Sequence, residues 1–127
     1  MVKNKDRRLR DRNLFQKVLK KGQSVHGSFL TLYWLKEGDG EPSKIGYAVG
    51  RRLGKAVARN KMRRRLRHAQ YGYNQRLKDG YALVWLARRY GMQADFHCLQ
   101  REMGALLEQA NLLRERIIDE KADDCRN

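Results

Sequence analysis

Between Glu41 and Asp79 the chain contains no carboxylate, and within that gap nine basic residues occupy the 17 positions from Arg51 to Arg67. A segment so charged lacks the Glu–Lys pairs that would soften its self-repulsion, and a fold tolerates it more readily when a polyanion supplies the missing charge. The imbalance covers the first half of the chain. Residues 1–70 carry 20 Lys and Arg against 5 Asp and Glu, whereas residues 71–127 carry 9 of each, so the whole formal excess of +15 sits N-terminal to Tyr71. Phosphate backbones are the obvious polyanion, and the excess is too large and too one-sided for a merely solvated face. The charge points to nucleic-acid binding.

Composition narrows the remaining classes. A chain of 127 residues suits one domain, since folding units commonly run to about 100–200 residues. Its 41% hydrophobic content suffices for a modest core and exceeds that of a disordered polycation. No run approaches the roughly 18 apolar residues of a membrane span, and the charged stretch Lys3 to Arg12 is no secretory leader. Cys98 and Cys125 are too few for a disulfide scaffold and suit a reducing, cytoplasmic location, with Cys98 expected to pack as a small apolar group. His26, His68 and His97 form no metal-ligand spacing with them, and no metal site is expected.

Periodicity organises the chain. Residues 1–10 read as a basic flexible arm, 11–118 as one domain and 119–127 as a polar tail. Asp11 can cap a helix over Arg12 to Lys21, ended by Gly22 and striped by Leu14, Phe15, Val18 and Leu19. Gln23 to Gly27 suits a short strand. From Ser28 to Lys36 the period becomes two, with Phe29, Thr31, Tyr33 and Leu35 on one side and Leu30, Leu32 and Trp34 on the other. A polar turn holding Pro42 follows, and Lys44 to Val49 is expected to pair back antiparallel across it.

The next helix is expected to start between Leu53 and Arg59 and to run to about Leu77. Met62, Leu66, Ala69, Tyr73 and Leu77 fall within an arc of roughly 80°, while Arg59, Asn60, Arg63, Arg64 and Arg67 share an adjoining arc of about 140°. Tyr81 to Ala87 reads as an interior strand, and Asp95 can cap a long last helix striped by Leu99, Met103, Leu106, Ala110, Leu113 and Ile117. These elements predict an α+β class: a two-layer α/β sandwich, with one mostly antiparallel sheet of about four strands carrying a basic helix and a long C-terminal helix.

The most specific segment is Gly54-Lys-Ala-Val-Ala-Arg-Asn-Lys-Met-Arg-Arg-Arg-Leu-Arg67. It is very similar to the signature of the bacterial ribonuclease P protein subunit family, and its flanks match in order. Leu14-Phe-Gln-Lys-Val-Leu-Lys-Lys-Gly22 resembles that family's first helix, Phe29-Leu-Thr-Leu-Tyr33 its first long strand, and Ile45 to Gly54 the strand entering the signature. Ala87-Arg88 stands where the family's last strand ends. Two positions depart. Lys61 replaces the usual Arg, keeping the charge without the bidentate fork, and Leu19 replaces a frequent Phe, giving plain apolar contact.

The resemblance implies a protein that partners a large catalytic RNA and assists Mg²⁺-dependent removal of the 5′ leader from precursor tRNA. It implies RNA contact by Arg51, Arg52, Lys55, Arg59, Asn60, Lys61, Arg63, Arg64 and Arg67, and a leader cleft lined by Phe15, Leu19, Thr31 and Tyr33. Read from the residues alone, Phe15 reads as core packing, as an aromatic on a short amphipathic helix usually does, and Asn60 as helix-compatible polar filler or, if the helix starts late, its N-cap. Arg65 lies beside the apolar arc, where its stem can cover the core. The basic face carries no carboxylate, the usual protein ligand for a hydrolytic Mg²⁺, and no Ser/His/Asp or paired-acid set is evident elsewhere.

No catalytic residue is therefore assigned to the chain. Mg²⁺ is expected to be held mainly by the RNA partner and substrate, with none bound tightly by the protein alone. Neither a membrane nor an obligate protein partner is expected. The alternative is a non-enzymatic RNA-binding protein, ribosomal or chaperone-like, with the same charge and fold class.

Overall fold

The computed structural model describes residues 7–38 and 40–114. Among these, three helices and a four-stranded sheet follow one another as α1 (Arg12–Lys21), β1 (Gln23–His26), β2 (Leu30–Lys36), β3 (Lys44–Ala48), α2 (Ala56–Tyr71), β4 (Tyr81–Ala87) and α3 (Phe96–Gln109). Short 3-10 turns at Arg51–Leu53, Asn74–Arg76 and Arg89–Gln93 connect them. Helix α1 forms where its cap and stripe predict. The Asp11 carboxylate accepts the N–H groups of Asn13 at 2.9 Å and Leu14 at 3.3 Å, supplying acceptors that a first turn otherwise lacks.

The sheet order β1-β2-β4-β3 corrects one expectation. Strand β3 does not pair back on β2. It runs parallel to β4, which inserts between them and pairs antiparallel with β2 along its whole length. The reason lies in β4 itself: Ala82 and Val84 are buried on one face and Leu83, Trp85 and Ala87 on the other, so both faces must be covered. The polar segment after β2 bonds to the start of β4 instead, Glu37 and Gly38 donating to the Gly80 carbonyl at 2.6 and 3.1 Å. Buried Ser43 closes this end, donating to the Lys78 carbonyl at 2.6 Å and accepting from the Tyr81 N–H at 2.9 Å.

Helices α2 and α3 pack on one face of the sheet over Leu30, Leu32, Ile45, Leu83 and Trp85, and α1 covers part of the other face over Ala82 and Val84. Three further expectations change. Helix α2 ends at Tyr71, before Gly72, and Leu77 reaches the same core from the connection. Phe29 lies ahead of β2 and packs into the α2–α3 core, off the face of Tyr33 and Leu35. Arg7 to Leu9 do not belong to a free arm: the Ile45 N–H bonds to the Arg7 carbonyl at 2.7 Å, the Leu9 N–H to the Ile45 carbonyl at 3.0 Å, and Leu9 is buried.

Asp95 occupies the position before α3, but its side chain accepts no capping bond. Cys98 is half-buried and packs beside the core. Residues 1–6, the polar tail 119–127 and Ile117 lie outside the described residues.

Two polar contacts fix the helices on the sheet. Fully buried Trp85 donates its indole N–H to the fully buried Gln70 carboxamide at 2.7 Å, and Gln70 in turn donates to Asn74 at 3.1 Å. The Glu102 carboxylate of α3 accepts three backbone N–H groups at the entry to β2, from Ser28 at 3.0 Å, Phe29 at 2.7 Å and Leu30 at 2.8 Å. Bonds to an ionised acceptor are the stronger kind, and removing it strands the donors at Phe29 and Leu30, both buried. Glu102→Ala should lower the unfolding free energy in a urea titration by about 3 kcal/mol and Glu102→Gln by less. Equal stability of all three proteins would show that the carboxylate anchors nothing.

Candidate nucleic-acid interface

Helix α2 is held by Met62, Leu66 and Ala69, all buried, and this determines where its cations go. Asn60, Arg64 and Arg67 are exposed and Arg59 and Arg63 half-buried along one flank of that stripe. Short local bonds orient two of them. The Arg63 guanidinium donates to Asn60 Oδ1 at 2.7 Å, and Arg59 Nε donates to the Gly54 carbonyl at 3.0 Å. Asn60 sits inside the helix, so it is not the cap; Lys55 holds that position. Arg51, Arg52 and Lys55 are exposed in the segment leading into α2 and extend the same unopposed charge.

Arg67 lies over the Tyr47 ring of β3, 5.9 Å from its centroid. Burial pushes the Tyr47 phenol well above its ordinary pKa, with Arg67 and Arg8 pulling in the opposite direction. The phenol stays neutral, and a cation rests on its ring face. Arg8, one cation among many in the N-terminal stretch of the sequence, is thereby brought beside the signature helix. Lys61 departs from the group. It projects on the other flank of the stripe with Arg65, whose guanidinium is tied to the Ala94 carbonyl at 2.5 Å and lies 4.0 Å from Met62 Sδ.

A second surface lies on the opposite face of the sheet. Phe15, Leu19 and Tyr33 come together there with Leu14, Leu35 and Ala48 around buried Val18, Ala82 and Val84. Phe15 rests on β3 at Gly46, where a Cβ would stand 2.7 Å from its ring, so the glycine is what lets the aromatic sit down on the strand. Thr31 differs from the other three. It is buried, and its hydroxyl lies 3.3 Å from His26 Nδ1, so it supports the floor and does not line an open surface.

The fold that carries these two surfaces has counterparts among known proteins. The ribonuclease P family model matches residues 3–111. The chain belongs to the ribonuclease P protein family. It is 39% identical over 107 residues to the ribonuclease P protein component of Symbiobacterium thermophilum, a match covering 84% of this chain and 93% of that protein. The ribonuclease P protein from Staphylococcus aureus superposes with a TM-score of 0.74 at 26% identity, covering 93% of this chain and all of that one. The Thermotoga maritima protein superposes with a TM-score of 0.72 at 27% identity over 80% and 96% of the two chains.

Ribonuclease P works in tRNA 5′ processing, and the geometry suits an RNA-directed role. Guanidinium groups along one helix flank can track backbone phosphates without reading sequence, and a half-exposed tyrosine ring can stack on any base. Among the described residues no helix is long and apolar enough to cross a membrane. Replacing Arg63 and Arg67 together by alanine should weaken RNA binding and flatten the dependence of log K on log salt by about 0.7–0.9 for each phosphate no longer neutralised. An unchanged slope would remove both residues from the interface.

Proposed function

We propose that this chain binds a catalytic RNA through α2 and the 5′ leader of precursor tRNA through the α1 surface, and so assists Mg²⁺-dependent endonucleolytic removal of the leader. The observation that carries the reading is the placement of the two surfaces on opposite faces of one sheet, which lets one small protein touch two RNAs at once. On α2 the contacts are Arg59, Asn60, Arg63, Arg64 and Arg67, with Arg51, Arg52 and Lys55 beside them. On α1 and β2 they are Phe15, Leu19 and Tyr33, with Thr31 positioning Tyr33's strand from beneath.

Mg²⁺ supplies the activated water and the charge neutralisation that phosphodiester hydrolysis requires. The residues present do not fit a site for it. No carboxylate occurs from Pro42 to Lys78, and no group of three or more His, Cys, Asp and Glu comes together among the described residues. The metal ligands in this proposal are oxygens of the RNA partner and substrate. The protein's share is electrostatic and positional: its cations screen phosphate repulsion where two RNAs converge, and its apolar surface holds a single strand whose sequence varies.

Affinity of the protein–RNA complex for precursor tRNA should exceed that for mature tRNA and should rise with leader length over the first several nucleotides. Length-independent affinity would empty the α1 surface of its role. Tyr33→Ala should weaken binding of leader-bearing substrate by about 5- to 100-fold, the range for removing one base stack, and leave mature tRNA nearly unaffected. Equal losses on both substrates would instead mark a folding defect.

A further inference from the structure

Lys61 and Arg65, which stand apart from the other signature cations, share a groove. It lies between α2 and the turns at Arg51–Leu53 and Arg89–Gln93 and has a volume of about 580 Å³. That is within the range of roughly 300–1,000 Å³ typical of small-ligand sites. Buried Met62 and half-buried Leu53 and Met92 supply its apolar surface, and Lys61 and Gln93 stand at its edge. The inner wall is fixed, because Arg65 is held by the Ala94 carbonyl at 2.5 Å. No carboxylate lines it.

Gly54 lies against two residues that line the groove, Ala58 and Met92. Its φ of 154° disfavours any residue with a side chain, and a Cβ there would stand 3.3 Å from Ala58 Cβ and 3.9 Å from Met92 Cε. Ala58 also lines the groove and belongs to the first turn of α2, whose N-cap Lys55 offers no side-chain acceptor.

Each component selects for the same chemistry. Thioethers are polarisable and make favourable contacts with aromatic rings, and two of them beside a leucine suit a flat ring better than a phosphate. A carboxamide at the edge carries both a donor and an acceptor, as the edge of a base does. An ammonium beside it suits the attached phosphate as a point charge, a task for which Lys61 needs no bidentate fork. We propose that this groove takes one unpaired nucleobase of the bound RNA, with the adjoining phosphate held by Lys61. The proposal rests on the reading that α2 faces RNA and specifies what the second flank of that helix does.

The test uses the full chain with ¹³C-methyl-labelled methionine. Stacking on a base should move the Met62 and Met92 methyl resonances upfield and leave buried Met103 in place. Adding a bacterial catalytic RNA alone in one arm, and precursor tRNA alone in the other, shows which RNA donates the base. Ala58→Leu, a substitution at an exposed helix position that fills the groove, should abolish the shifts and weaken binding of the responsible RNA by about tenfold. RNA that binds with the salt dependence expected of α2 but leaves both methyls unmoved would overturn the groove assignment and spare the reading beneath it. Failure of both RNAs to bind would overturn both. Unchanged affinity and unchanged shifts in Ala58→Leu would likewise overturn the assignment.

Discussion

A helix that carries this much like charge keeps its place only because its apolar stripe is pinned to the sheet, and the Trp85–Gln70 bond does the pinning. Both side chains are fully buried, and the bond joins the last turn of α2 to the centre of β4 at 2.7 Å. A buried polar pair of this kind tolerates few alternative arrangements, because rotating the helix would leave an indole N–H and a carboxamide unsatisfied. With Met62, Leu66 and Ala69 seated below, the cations have no choice of direction. The cationic surface is thus a consequence of core packing on the opposite side of the same helix.

Strand β4 is the other half of that constraint. Buried on both faces, it must lie inside the sheet, and by doing so it separates β2 from β3 and leaves β3 at the edge where Arg7 to Leu9 can pair with it. The same insertion brings α2 to one face and leaves the other to α1. A single central strand therefore underlies two surfaces of different chemistry. One is cationic and suited to phosphates; the other is apolar, with a tyrosine ring, and suited to an unpaired strand of any sequence. Glu102 contributes to both indirectly by fixing the entry of β2, the strand that carries Tyr33.

Much of this is legible in the residue order. Asp11 and Gly22 bound α1, the period-two pattern locates β2, and the carboxylate-free stretch with its signature spacing locates the cationic helix α2. Most of the failures share a cause: they depend on contacts between residues distant in sequence. An apolar run such as Tyr81–Ala87 announces an interior strand but not which neighbours it will take, so a hairpin of β2 and β3 looks natural. The end of α2 is marked by Gly72, but the stripe continues through Tyr73 and Leu77 because the connection serves the same core. Thr31 is a local exception: it has the periodicity of a lining residue, yet it is buried and its hydroxyl faces His26, five residues earlier on β1. The split of Lys61 from the other cations follows from helix geometry. That a groove lies beside it does not, since the Arg89–Gln93 turn completes it from elsewhere in the chain.

The central claim is that this protein lends charge and a binding surface to an RNA that does the cutting. It is tested most directly by mixing the purified chain with a bacterial catalytic RNA and precursor tRNA at a Mg²⁺ concentration too low for the RNA to act alone. Release of an intact 5′ leader only when protein and catalytic RNA are both present is the predicted result. Cleavage by the protein without RNA, or no assistance at any ionic strength, would contradict it.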